Sequence, residues 1–285
     1  MAMAAAGSAI VAPDARWAPL HHVRAWRVMR SGPADGPTNM ATDAALLDLA
    51  RETGIATLRT YSWDAPTLSF GRHERTRGRF SPGRLDTAGV AAVRRPTGGR
   101  ALLHHRELTY SVAAPAGDAP LRARYEAVNQ LLSLALQQLR VEVTRVERRS
   151  LTRPDAAACF AEPNVGELVV DGRKLVASAQ VEAPGAFLQH GSILLDDDQA
   201  RIADLSDAPG TLQTHATSLR TLLEADVTFA DVAAALEASL QRLTAADVAA
   251  GLVTFEPLAQ SIPQESERLA THRAHFADPA WTWSR

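Results

Sequence analysis

The stretch Glu167-Leu168-Val169-Val170-Asp171-Gly172-Arg173-Lys174-Leu175-Val176-Ala177-Ser178-Ala179-Gln180 is a β-hairpin written in its residues. Asp-Gly between two runs of β-formers is the signal of a two-residue type I′ turn, because both turn positions need positive φ and glycine supplies one at no steric cost. On the second arm the side chains alternate, so Lys174, Val176, Ser178 and Gln180 share one face and Arg173, Leu175, Ala177 and Ala179 the other. The row Lys174, Ser178, Gln180 is polar and is expected to face a cleft. Phe187–Leu195 supplies a further strand.

Working upstream, strands are expected at 55–61, 67–70, Val90–Arg95, 101–104 and 107–113. Thr38 to Arg51 reads as a helix with Thr38 or Asn39 as cap, Met40, Ala44, Leu47 and Ala50 on one face and Gly54 as stop. A short helix is expected near 84–88, and Leu121 to Arg140 is the longest helical pattern of this half. Beyond Thr217 the patterns turn helical, around 229–241 and 245–251. The fold class is therefore α+β, a mixed α/β arrangement of mainly antiparallel or mixed β-sheets flanked by helices, with a small helical C-terminal part. The boundaries expected are a loose tail over 1–24, a catalytic domain over 25–220 and a helical extension over 221–285 packed on it.

Composition sets the outer limits. The 285 residues are 46% hydrophobic and 22% charged, ordinary globular values. No run approaches the ~20 apolar residues of a membrane span. The alanine-rich start has no basic region before its weak apolar run, which argues against a signal peptide. A single cysteine, Cys159, rules out an internal disulfide and fits a reducing cytoplasm, the location expected. Of 30 basic residues, 29 are arginine and only Lys174 is lysine. A lysine kept in such a chain suggests a place where a compact ammonium is needed and a forked guanidinium does not fit.

Four segments are candidates for chemistry. Arg94-Arg95-Pro96-Thr97-Gly98-Gly99-Arg100 leads from a strand into a turn whose glycines let a substrate approach the backbone closely. Cys159 sits among alanines and Phe160, a setting equally suited to a buried small hydrophobe. Lys174 lies just past the hairpin tip, where a surface lysine would also be ordinary. In Leu188-Gln189-His190-Gly191-Ser192 one strand histidine stands alone. The adjacent His104 and His105 point to opposite sides of a strand and make a poor ligand pair, so no metal is expected. No P-loop or G-x-G-x-x-G is present.

Taken in order, Asn39-Met40-Ala41-Thr42-Asp43, Arg94 through His104 with Glu107-Leu108-Thr109-Tyr110-Ser111, Cys159-Phe160, Gly172 through Gln180, Gln189-His190-Gly191-Ser192 and the closing Trp281-Thr282-Trp283 resemble the lipoate–protein ligase/biotin ligase/octanoyltransferase superfamily. The likeness runs from about residue 26 to 220. Within it the chain is most similar to the LipM type of octanoyltransferase, which likewise has its cysteine before the Gly-Arg-Lys segment. The ligases need no thiol, and the LipB type carries its cysteine after the lysine. Arg100 stands where ligases usually have a third glycine, and Ala177 replaces the glycine expected before Ser178-Ala179.

The resemblance implies the biotin/lipoate ligase catalytic fold. It also implies transfer of octanoyl from octanoyl–acyl carrier protein to a lysine of lipoyl domains, such as the glycine cleavage H protein, through a thioester. Cys159 and Lys174 would be catalytic. Arg94, Arg95, Thr97, Gly98, Gly99, His104, Ser178, Ala179, His190 and Gly191 would bind substrate. No ATP or metal is needed, because a thioester donor is already activated and itself carries phosphopantetheine. Residues 71–106 hold nine arginines against Glu74 and Asp86, a basic segment suited to acidic partners. Three alternatives stand beside this reading: an octanoyl or lipoyl amidotransferase between lipoyl domains, an ATP-dependent lipoate ligase, and a non-catalytic module holding nucleic acid or an acidic protein. The positions of Asp43, Arg72 and His190 in these motifs leave their roles open.

Overall fold

A computed structural model describes residues 15–146, 159–160, 165–207, 215–257 and 267–285. In chain order the strands are β1 (Ala25–Ala34), β2 (Ile55–Trp63), β3 (Thr67–Phe70), β4 (Ala91–Arg94), β5 (Leu102–His104), β6 (Glu107–Pro115), β7 (Thr144–Arg145), β8 (Leu168–Val170), β9 (Arg173–Ala183), β10 (Ala186–Leu194) and β11 (Thr254–Phe255). The helices are α1 (Gly36–Thr53), α2 (Pro82–Thr87), α3 (Leu121–Gln138), α4 (Ile202–Leu205), α5 (Leu219–Leu223), α6 (Phe229–Ala249), α7 (Glu267–Ala277) and α8 (Pro279–Thr282).

Eight strands form a mixed sheet in the order β11-β1-β2-β6-β10-β9-β8-β7, and β4-β3-β5 form a smaller one. The pairs β1–β11, β1–β2 and β3–β4 are parallel; the others are antiparallel. The hairpin expected at Asp171-Gly172 joins β8 to β9, with φ of +50° and +74° at the two turn residues.

Helix α1 starts earlier than the sequence suggested. Its cap is Asp35, whose side chain accepts from the Thr38 N–H at 2.7 Å, and Pro37 sits in the first turn, where a missing N–H costs nothing. Gly54 ends it at φ +72°. Both faces of α1 are covered, one by β2, β6 and β10 and the other by α7. A second difference, in the C-terminal part, is α6, one continuous helix rather than two. It carries no glycine or proline, a Thr228–Asp231 capping box opens it, and Thr244 bonds back to the Leu240 carbonyl without breaking it.

The main core fills the space between the large sheet and α3, α6 and α5. Trp17 and Leu20 belong to it, each 1% exposed, and Trp17 stacks on Trp26. The loose tail expected through residue 24 therefore does not extend over 15–24, because two large apolar side chains there have a core to enter. Residues 1–14 of that tail lie outside the described residues. The C-terminal part is likewise interwoven: β11 extends the sheet beside β1, and the Arg285 carbonyl accepts from the Thr76 and Arg77 N–H groups.

Candidate active site

The hairpin turn brings the two rarest side chains of the sequence together. Lys174, the second residue of β9, is fully buried, and its ammonium has three acceptors: Glu167 Oε1 at 2.6 Å, the Cys159 carbonyl at 2.8 Å and Cys159 Sγ at 3.4 Å. It also lies 5.0 Å from the centre of the buried Phe160 ring. Burial works against the charge on Lys174, but Cys159 and Glu167 outweigh it and raise its pKa above the usual lysine value. The ammonium thus persists through the neutral range. The Cys159 N–H donates to the Ala101 carbonyl at 2.8 Å, which ties the thiol to the glycine turn. Leu102, Phe160, Ala177, Leu194 and Ala216 pack around it. Ala177 therefore lines the thiol's apolar surroundings.

Glu167 was not foreseen. Its signal was present: a lysine that is to be buried needs a counter-ion, and Glu167 precedes β8, the strand paired with the start of β9.

A second buried centre lies under the glycine turn. Asp43 on α1 accepts from Arg59 Nη1 at 2.7 Å, Ser111 Oγ at 2.8 Å, Tyr61 Oη at 2.9 Å and His190 Nδ1 at 3.1 Å. Burial raises its pKa, but the Arg59 charge and the His190 and Ser111 bonds prevail and hold it below the ordinary carboxylate range. Burial pushes the His190 pKa down despite Asp43, so the ring is neutral near pH 7. A carboxylate only accepts, so Nδ1 carries the proton, and Nε2 accepts from the Thr97 hydroxyl at 2.7 Å. The chain Asp43–His190–Thr97 thereby fixes the turn. His104 stands in a parallel chain, with Nδ1 2.6 Å from Glu107 and Nε2 2.7 Å from Ser69 Oγ, stacked on Trp63 at 4.1 Å.

Other expected residues are placed differently. Arg94 donates to the carbonyls of Gly71, Glu74, Trp281 and Thr282, bracing the C-terminal segment against the 71–76 loop. Arg95 donates to the carbonyls of Ser69, Gly98 and Arg100 and to Ser69 Oγ. Both guanidiniums hold the scaffold of the turn, where backbone oxygens need donors. Burial pushes the Arg95 pKa below the usual arginine value, with negative charge at Cys159 and Glu74 working against it. Gly99 meets another chain segment rather than open space, since a Cβ on Gly71 would lie 2.0 Å from the Gly99 oxygen. Gly98 faces open space. The polar row of β9 divides: Lys174 turns to Cys159, Ser178 Oγ pairs with Tyr110 Oη at 2.6 Å, and Gln180 lines a groove by α3. Ala179 pairs with His190 across β9 and β10.

Gly191 serves strand pairing: a Cβ there would lie 2.1 Å from the Ala177 oxygen. Gly191→Ala is expected to lower stability by about 1–3 kcal/mol through forced strand separation, read as a lower thermal midpoint. An unchanged midpoint would show that β9 and β10 part freely.

The basic segment is split in the same way. Arg94 and Arg95 are buried and Arg106 pairs with Asp196, while Arg72, Arg75 and Arg77 remain exposed, with the Arg72 N–H bound to the Thr97 carbonyl. Among the described residues no cluster of histidine, cysteine and carboxylate side chains suits a metal ion, and no helix is long and apolar enough to cross a membrane.

The profile of the lipoyl protein ligase A/B catalytic domain matches residues 35–241. An octanoyltransferase LipM of Kyrpidia tusciae is 36% identical over 254 residues, 82% of this chain and 92% of that protein. One from an Exiguobacterium species is 33% identical over 279 residues, 91% and 98% of the two chains. Among solved structures, lipoate-protein ligase A bound with ATP superposes with a TM-score of 0.71 at 17% identity, covering 90% of this chain and 98% of the other. The LipL1 of P. falciparum in complex with lipoate gives 0.72 at 13% identity, covering 91% and 74%. At such identities these structures speak for the fold alone.

Proposed function

The chain belongs to the lipoyl protein ligase A/B catalytic-domain family and, within it, to the LipM octanoyltransferases, and from that premise we propose that Cys159 is the residue that carries the octanoyl group in transit. The donor is octanoyl–acyl carrier protein and the acceptor a lysine of a lipoyl domain such as the glycine cleavage H protein. The observation that carries this reading is the ammonium of Lys174 3.4 Å from the Cys159 sulfur, in a buried site where that lysine has no solvent role.

A thiol with an ordinary pKa of ≈ 8.5 is only a few per cent thiolate at neutral pH. The Lys174 ammonium stands 3.4 Å from the sulfur, and the apolar surroundings strengthen its attraction for negative charge on that atom during the reaction. Glu167 moderates this by sharing the ammonium, so the lysine is oriented as well as charged. In the first step the Cys159 thiolate attacks the donor carbonyl. The new carbon–sulfur bond forms, the old one breaks, and the carrier thiolate leaves with a proton handed on by Lys174. In the second step the neutral acceptor amine attacks the same carbon. A carbon–nitrogen bond forms, the Cys159 thiolate leaves, and the amine proton returns to Lys174. The product amide is more stable than the thioester, so the sequence runs downhill without ATP or metal. The exposed Arg72, Arg75 and Arg77 beside the turn offer positive charge to acidic carriers.

Intact-protein mass spectrometry after mixing with octanoyl–acyl carrier protein, without ATP, is expected to show a gain of one octanoyl group, labile to hydroxylamine. A gain only from an octanoylated lipoyl domain would identify an amidotransferase. A requirement for ATP with free octanoate would identify a ligase.

Lys174→Arg tests the ammonium. The larger fork does not fit the three acceptors packed around Nζ. Alkylation of Cys159 by iodoacetamide at neutral pH is expected to slow about tenfold, the effect of losing ~1.4 kcal/mol of charge stabilisation in the transition state. A wild-type alkylation rate would dismiss the role of compact charge.

A further inference from the structure

We propose that the groove between α3 and the outer edge of β9 seats the flexible, amide-bearing arm of a pantetheine-type thioester donor, laid along β9 with its reacting end toward Cys159. This rests on the reading of Cys159 as the acyl acceptor.

The groove has a volume of about 450 Å³, within the range of small-molecule sites. Its walls include Leu121 and Tyr125 from α3, Val165 and Gly166 before β8, and Gln180 of β9. Leu121 and Val165 are 38% and 41% exposed, two of the four large hydrophobic side chains left open among the described residues. The polar side of the groove is underused. Gln180 Nε2 is buried with no partner, and behind the wall the same holds for Gln189 Oε1. Tyr110, its pKa pushed up to about 12 by burial, stays a neutral hydroxyl bonded to Ser178 and Gln189. Asn129 steadies the rim through the Gly166 carbonyl at 2.7 Å.

The strand edge adds further capacity. β8 pairs with β9 only at Arg173, Lys174 and Val176. From residue 177 to 183, β9 has β10 on one side and no strand on the other among the described residues. An edge of this kind accepts an extended ligand through main-chain groups. Two amides in one arm would meet it and the Gln180 donor, while Leu121 and Val165 cover the arm's methyl groups.

Length selects the occupant. Gln180 lies six residues along β9 from Lys174, roughly 20 Å at ~3.3 Å per residue. An acceptor lysine on its four-carbon stem cannot span that distance. A pantetheine arm can. The entry wall is also connected to the chemistry, because Gly166 is followed by Glu167, whose carboxylate holds Lys174.

Gln180→Leu and Val165→Trp, each outside the catalytic pair, test the assignment with two donors: octanoyl-pantetheine, and an octanoyl thiophenyl ester that has no arm. With either variant, kcat/KM for acylation of Cys159 by octanoyl-pantetheine is expected to fall about tenfold through KM, as for loss of one buried hydrogen bond or its site. Acylation by the thiophenyl ester should be unchanged. Binding of free pantetheine to wild type, followed by ligand-observed NMR, should weaken in proportion in the variants. Equal losses with both donors, or none with either, would overturn the proposal. So would a loss confined to single-turnover transfer from octanoyl-enzyme to a lipoyl domain, which would give the groove to the acceptor. If wild type takes no acyl group from either ester, the Cys159 reading falls, and pantetheine binding alone then decides the groove.

Discussion

Cys159→Ala is expected to form no octanoyl-enzyme and to lose octanoyl transfer by at least about a thousandfold, as removal of a covalent nucleophile does. The loss should lie in kcat rather than in donor affinity, because Cys159 occupies a small apolar niche that alanine fills without disturbing Phe160, Ala177 or Leu194. Lys174 would keep Glu167 and the residue-159 carbonyl as partners, so the fold should hold and the thermal midpoint should barely move. Cys159→Ser separates nucleophile from packing. A serine hydroxyl beside an ammonium stays protonated at neutral pH, and the expected outcome is an alanine-like rate with wild-type stability. Steady-state transfer to a lipoyl domain, with intact mass on the same samples, reads both. An alanine variant within tenfold of wild type would end the thioester mechanism, and the ATP requirement of its residual activity would then separate a ligase from a direct transfer.

Arg59→Leu carries the largest expected stability effect. Arg59 is 1% exposed and Asp43 fully buried, and the guanidinium also bonds Asn39 and Ser31 and lies 3.8 Å over the Tyr61 ring. Removing it leaves an uncompensated buried carboxylate, at a cost of about 3–5 kcal/mol. The pH dependence has a definite sign. In the wild type the Asp43 pKa is held below its unfolded value, so its contribution is complete above the unfolded pKa and is lost as pH falls through the folded one. In the variant burial acts unopposed by Arg59, and protonation relieves the penalty. The gap between wild type and variant, measured by urea unfolding, should be widest near neutrality and narrow as pH falls below the ordinary carboxylate range. A gap that stays constant or widens in acid would show that lost packing, not charge, dominates. Because Asp43 holds His190 and His190 holds Thr97, transfer activity should fall in any Arg59 variant that remains folded.

Much of this molecule was legible in its residues. Asp171-Gly172 with its flanking alternation gave the hairpin, Gly54 gave the end of α1, and the rarity of cysteine and lysine singled out Cys159 and Lys174 before any distance was known. These signals are local: backbone sterics and composition act within a few residues, so a sequence displays them directly. The role of Arg94 and Arg95 was not legible, because a buried arginine bracing carbonyls and an exposed one awaiting substrate are the same letter. Their partners, from Ser69 to Thr282, are brought near only by the pairing of β3 with β4 and the return of α8. The same holds for Glu167, whose worth depends on Lys174 being sealed from water, and for the groove by α3, whose two walls are about 40–60 residues apart in sequence. Sequence by itself determined most of the central elements, the family and the two rare side chains that the fold brings together. Tertiary packing decided which charges are buried, and so which residues hold the scaffold and which remain to meet a substrate, because desolvation depends on the whole surroundings of a group and not on its neighbours in the chain.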